Sequence, residues 1–330
     1  MNNFPPEEIC QALLSAKKVL IMTHQRPDGD AMGSSFGMRA FLRGNGIDAD
    51  VLIPGAIPRR YQGFFTGFLK NVTQSEMENY DLFLALDCAN GERLGCGEFT
   101  VKELRCRNFV CIDHHTGNSL AAGKSWISSS GSTCQMIMEL IDHLKLPLGQ
   151  EGATALLTGM MTDTGCFCFS NTTGSSFRAA ALAADAGADI EKIANQVFFN
   201  KPFDQLKFEA DMVENFLQMS CGGKVAYACI TDELMAKHNF DLREDEGLID
   251  ILRGLEGVKI AILIHHRNDG WRVSMRSKDS AYPVRPVAMK FGGGGHDLAA
   301  GCTIDLPEFA DVEKVLIPCF EAMLTEKGSL

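Results

Sequence analysis

Short apolar runs recur along the N-terminal half of the chain, and each stops at a side chain able to bind a cation. Val19–Thr23 ends at His24, Leu82–Leu86 at Asp87, and Phe109–Ile112 at Asp113-His114-His115. Runs of this length without polar interruption read as strands buried on both faces. Between them the apolar positions shift to helical spacing. Ile9, Leu13 and Leu14 share a face of Pro5–Lys18, and Phe36, Ala40 and Phe41 share one of Ala31–Arg43, which Gly44-Asn45-Gly46 ends. Asp50–Pro54 reads as a further short strand and Gly55–Gly67 as irregular. Ala153–Met161 reads as a helix that delivers Asp163. Strands alternating with helices predict an α/β fold built on a parallel sheet. Ligands of such sheets bind beyond the carboxyl ends of the strands. His24, Asp87 and His114 are therefore expected along one edge of one sheet.

Further on, Phe177–Ala186, Ile190–Val197 and Phe203–Met219 read as helices. The stretch 186–220 lacks the Gly/Ser or Pro bias of a flexible linker and is expected to be a helical connector. The strand pattern then restarts at Lys224–Ile230, followed by a helix at Asp245–Leu255. Val258–His266 and Trp271–Arg276 form a hairpin around Asn268-Asp269-Gly270. A helix at Val284–Lys290, the loop Phe291–Gly301, a strand at Cys302–Asp305 and a closing helix complete the chain. The expected organisation is a parallel-sheet α/β domain over 1–185, the connector 186–220, and a smaller α/β domain over 221–330.

Composition narrows the function classes. The 330 residues are 45% hydrophobic and 22% charged, ordinary values for a globular protein with two cores. A net charge of −11 argues against a long nucleic-acid duplex as partner, while leaving room for a short nucleotide held by local cations. The N-terminus lacks a signal-type apolar core, and no window reaches the ~18 apolar residues of a membrane span, so a cytoplasmic location is expected. None of the 12 cysteines forms a CxxC pair. Cys88, Cys111 and Cys229 lie in apolar runs and are expected as free buried thiols, while Cys166 and Cys168 flank one residue near Asp163.

His24, Asp28, Asp30, Asp87, His114 and Asp163 form a candidate metal set. Four carboxylates with two neutral imidazoles carry −4, which two divalent cations balance. Mixed nitrogen and oxygen ligation suits Mn²⁺, Fe²⁺ or Zn²⁺ better than Mg²⁺. Asp87, the lone acid at its strand tip, is the obvious bridge, and a bridged pair supports in-line phosphoryl displacement by a hydroxide. The bland alternative is that each aspartate merely caps a helix or forms a turn.

A second candidate site lies in the smaller domain. Consecutive N–H groups of Gly292–Gly295, including Gly293, Gly294 and Gly295, are expected to form an anion nest, with His296 as an added donor. Arg276 and Ser277 offer a planar cation and a hydroxyl to the same phosphate. Other residues keep structural readings. The adjacent His265 and His266 point to opposite faces of a strand. His143, His238, Arg59, Arg60 and Tyr61 are expected at the surface, and Met160-Met161 in the core.

HQRPDGDAMGSS, the aspartate of LALDCAN, CIDHHTGN and TDTGCF resemble the four successive motifs of the DHH phosphoesterase superfamily. VSMRSKDS and FGGGGHDLAAG resemble its C-terminal DHH-associated domain. The resemblance spans nearly the whole chain, and its two-domain size is most similar to the NrnA-type branch. That branch degrades very short oligoribonucleotides (nanoRNA) to 5′-mononucleotides and dephosphorylates adenosine 3′,5′-bisphosphate. The resemblance implies one Mn²⁺ on His24, Asp28 and Asp87, and a second on Asp30, Asp87, His114 and Asp163. His115 would face the scissile phosphate, and Asp113 would orient a histidine ligand. The implied partners are short single-stranded RNA or a nucleotide bisphosphate, with a homodimer as a possible assembly. Alternatives within the same fold are a linear- or cyclic-dinucleotide phosphodiesterase and a pyrophosphatase or exopolyphosphatase. A non-catalytic nucleotide sensor is the alternative from another class.

Overall fold

The computed structural model describes residues 5–115, 117–121, 123–241, 247–267 and 270–326. It divides into two compact units, Met1–Asn200 and Lys201–Leu330. The first contains strands β1 (Lys18–Met22), β2 (Asp48–Leu52), β3 (Leu82–Leu86), β4 (Phe109–Asp113) and β5 (Lys124–Ile127). They form one sheet in the order β2-β1-β3-β4-β5, parallel throughout. Its helices are α1 (Glu7–Ser15), α2 (Gly29–Gly44), α3 (Gln74–Met77), α4 (Val101–Arg105), α5 (Thr133–Leu144), α6 (Gln150–Asp163), α7 (Gly174–Asp185) and α8 (Ile190–Ile193).

Both faces of this sheet are covered, which is why its strands carry uninterrupted apolar runs. Val19 and Ile21 enter a core shared with α1, α2, α5 and α6. Leu20 and Met22 enter a second core with Phe83, Ala85, Cys111 and Leu104. Register pairs Met22 with Ala85 and Leu86 with Ile112. The carboxyl ends of β1, β3 and β4 therefore stand level, and His24, Asp87 and His114 leave them side by side.

A close approach of α2 and α6 adds the remaining aspartates. A Cβ on Gly33 would lie 2.5 Å from the Ala155 carbonyl oxygen, and one on Gly37 would lie 2.5 Å from a Leu156 methyl. One on Gly159 would lie 2.9 Å from Asp30 Oδ1. Glycine alone lets the two helices meet here, and the contact brings Asp30 of α2 to the end of α6, where Asp163 sits.

The second unit holds β6 (Leu217–Ser220), β7 (Val225–Ile230), β8 (Ile260–Arg267), β9 (Gly270–Ser277), β10 (Gly294–His296) and β11 (Ala299–Ile304). Their order is β10-β11-β9-β8-β7-β6, with β7 and β8 parallel and every other pair antiparallel. The helices α9 (Phe203–Asn215), α10 (Asp232–His238), α11 (Leu248–Arg253), α12 (Arg285–Lys290) and α13 (Phe309–Glu326) complete this unit. Apolar cores again lie on both faces of the sheet.

Several expectations are corrected. The segment 186–220 is divided: α8 belongs to the first unit and α9 to the second, and 217–220 is strand rather than helix. Pairing with β7, a tertiary contact that local periodicity does not encode, decides the last point. Tyr61 is fully buried against Phe65 rather than exposed. His238 is only 12% exposed, bonded to Asp211 and edge-on to Phe208. Asp245, at the start of an expected helix, and the hairpin residues Asn268 and Asp269 lie outside the described residues. Among the described residues, no helix is long and apolar enough to cross a membrane.

Candidate metal centre

Asp28 is the N-cap of α2: its Oδ1 accepts from the amides of Asp30 and Ala31 at 3.1 and 3.0 Å. Its other oxygen, Oδ2, lies 3.7 Å from His24 Nε2. Asp30, 2% exposed, faces the N-terminus of α5, where the amides of Thr133 and Cys134 donate to its two oxygens at 2.7 and 2.9 Å. The partial positive charge of that helix end suits a buried carboxylate. Asp87 turns away from β3 with a positive φ of 52°, a conformation aspartate tolerates better than most residues. This turn sets its two oxygens in different company. Oδ2 lies 3.9 Å from His24 Nε2, whereas Oδ1 lies 3.6 Å from His114 Nε2 and accepts from the Thr133 hydroxyl at 3.0 Å.

His114 Nδ1 sits 3.2 Å from the Ser130 carbonyl oxygen, which assigns the proton to Nδ1 and turns Nε2 toward the carboxylates. Nε2 lies 3.9 Å from Asp30 Oδ2 and 3.7 Å from Asp163 Oδ2. Asp163 is steadied by Asn171, whose amide donates to its carbonyl at 3.1 Å and to Oδ2 at 3.4 Å.

Among the described residues three groups have candidate donor atoms within 4.8 Å of one another: the two ligand groups His24–Asp28–Asp87 and Asp30–His114–Asp163, which together hold the six sequence candidates, and a third, Asp87–Asp113–His114–His115. The imidazole-to-carboxylate separations are too long for hydrogen bonds and short enough to converge on a shared cation. Electrostatics point the same way. Burial, then the carboxylates of Asp30, Asp28, Asp113 and Asp163, push Asp87 well above the usual carboxylate range. Burial disfavours charge on His114, but Asp163, Asp30 and Asp113 outweigh it and raise its pKa. Carboxylates crowded around imidazoles in a buried cluster are the donor set of a metal site. The buried His24 Nδ1 lacks a hydrogen-bond partner among the described residues.

Beside this cluster, Asp113 is fully buried at the end of β4. Its Oδ1 lies 2.8 Å from His115 Nδ1, and its Oδ2 accepts from Asn118 Nδ2 at 2.5 Å. Asp113 thus orients His115, whereas the Ser130 carbonyl orients His114. Ser130, Thr133, Asn118 and Asn171 escaped the sequence reading. The Ser132-Thr133 pair ahead of an apolar helical run was the one signal available, as an N-cap.

The glycine segment of the second unit is not an open nest. The amides of Gly292 and Gly293 donate to the Met289 and Ala288 carbonyls at 3.1 and 2.9 Å, closing the end of α12. Gly294, Gly295 and His296 form β10, paired with β11. A Cβ on Gly293 would lie 2.2 Å from the Gly301 carbonyl oxygen, so this glycine serves backbone packing. The Ser277 hydroxyl, 4% exposed, is taken by the backbone of Asp279. Arg276 and His296 both pair with Ala299, from opposite sides, so the two side chains share one face in a single row across three strands. The exposed His296 and half-buried Arg276 flank a small residue.

Residues 18–160 match the DHH family, N-terminal domain, and residues 222–322 match the DHHA1 domain. The chain is 29% identical over 315 residues to the bifunctional oligoribonuclease and PAP phosphatase NrnA of Thermus thermophilus, covering 94% of this chain and 92% of that protein. It is 25% identical to the protein of the same description from Bacillus subtilis, covering 90% and 92%. An exopolyphosphatase-related protein from Bacteroides fragilis has the same fold, with a TM-score of 0.84 over 97% of both chains at 22% identity.

Proposed function

We propose that this chain, which carries the DHH family's N-terminal domain followed by a DHHA1 domain, is a hydrolase of the kind its NrnA relatives are and cleaves phosphoesters of very short oligoribonucleotides and of adenosine 3′,5′-bisphosphate. The observation that carries this reading is the convergence of two imidazole–carboxylate groups on the two oxygens of Asp87. The NrnA relatives supply the substrate class.

His24, Asp28 and Asp87 would hold one divalent cation, and Asp30, Asp87, His114 and Asp163 the other, with Mn²⁺ favoured by the mixed donor set. Bound there, the cations supply Lewis-acid stabilisation of phosphoryl charge and activation of water at neutral pH. The remaining work belongs to the protein. Asp113 grips Nδ1 of His115, leaving proton donation toward the departing oxygen to Nε2. His115, 34% exposed at its side chain, can reach a ligand that its 9%-exposed neighbour His114 cannot. Arg276 and His296 would grip a substrate phosphate across Ala299, through side chains rather than a backbone nest.

Incubation with Mn²⁺ and a labelled diribonucleotide, a 24-mer and adenosine 3′,5′-bisphosphate tests the substrate class. The dinucleotide and the bisphosphate are expected to turn over fastest, and a preference for the 24-mer would sink the proposal.

A further inference from the structure

Thr133 lies in none of the motifs discussed above, yet it touches one carboxylate from each ligand group. Its amide donates to Asp30 Oδ2 at 2.7 Å and its hydroxyl to Asp87 Oδ1 at 3.0 Å. The residue is fully buried, so water competes for neither bond. The two bonds differ in origin. The amide is aimed by α5 itself, whose first turn is set by the Ser132 cap to Gln135 at 3.0 Å and which sends the neighbouring Cys134 amide to Asp30 as well. The hydroxyl is a choice of side chain. At the first residue of α5 it has no preceding helical turn to bond back to, and it is spent on Asp87.

We propose that Thr133 is a positioning residue that keeps the Asp87 carboxylate divided between the two ligand groups. This rests on the metal-dependent reading above. The terminal torsion of an aspartate is soft, and only a particular rotation puts Oδ1 toward His114 and Oδ2 toward His24. The Thr133 hydroxyl holds Oδ1 on the His114 side. The same residue fixes Asp30 through its amide, so the two carboxylates are referred to one rigid helix end. A hydroxyl at this position therefore governs how well a pair of cations shares Asp87.

The test compares Thr133→Val, which keeps the amide and the shape, with Thr133→Ser, which keeps the hydroxyl. Mn²⁺ alone is titrated calorimetrically into metal-free protein, and the loaded proteins are examined by electron paramagnetic resonance for spin coupling. Wild type and Thr133→Ser are expected to bind two ions and give a coupled spectrum. Thr133→Val should bind the second ion about tenfold more weakly, the weight of one hydrogen bond to a charged group, and lose the coupling. Its kcat should fall with KM little changed. Two ions at wild-type affinity with an unchanged coupled spectrum in Thr133→Val overturn the positioning role alone. A wild-type protein that binds no Mn²⁺ pair overturns the metal-dependent reading and this role with it. If Thr133→Val lacks a cooperative unfolding transition, Thr133→Ala carries the same comparison.

Discussion

Asp28 satisfies two readings with two oxygens. Oδ1 caps α2 in the ordinary way, while Oδ2 faces His24. Helix capping and metal ligation, which compete when one weighs a lone aspartate in a sequence, are here compatible at the scale of atoms. Asp113 is the converse case, a buried carboxylate fully engaged by His115 and Asn118. Asp113→Asn keeps its size but replaces the carboxylate that holds His115 Nδ1 at 2.8 Å. We expect kcat to fall about 10- to 100-fold with KM and bound metal unchanged. Steady-state kinetics and metal analysis on one preparation would check this. Loss of a bound ion in that variant would instead make Asp113 a ligand.

Among the elements, the contact of α2 with α6 does the most to assemble the site. Gly33 and Gly159 are required because backbone and the Cys134 sulfur occupy the space a side chain would take. Gly44, at the far end of the same helix, has nothing within 4 Å of a built Cβ. Gly33→Val should destabilise the fold by about 1–3 kcal/mol through overpacking and weaken Mn²⁺ binding by shifting Asp30 from Asp163. Gly44→Ala should change stability by less than about 1 kcal/mol and leave metal binding alone. Urea unfolding followed by metal titration separates the two variants, and equal effects would remove α2–α6 packing as the reason for the glycines.

For the molecule as a whole, each unit has its own sheet with apolar cores on both faces, and the candidate ligands all belong to the first unit. Calorimetry should therefore resolve two unfolding transitions. Mn²⁺ at a hundredfold excess over Kd should stabilise one of them by about 2.7 kcal/mol per site, with a chelator reversing the gain. A metal-induced shift of both transitions together would show that the units unfold as one. This division of labour was partly legible beforehand. A parallel strand buried on both faces needs an unbroken apolar run, and whatever follows that run is delivered to the sheet's carboxyl edge. The runs ending at His24, Asp87 and His114 therefore declared the fold and set three of the six candidate ligands on one edge. What tertiary structure alone decided was partnership. The Thr133 amide finds Asp30 from 103 residues away, and the Gly292 and Gly293 amides, legible as an anion nest, are taken by α12 instead. Periodicity records which positions are buried, because burial repeats with the helix or strand. It does not record which distant group meets each hydrogen-bonding atom, because that depends on how the elements pack.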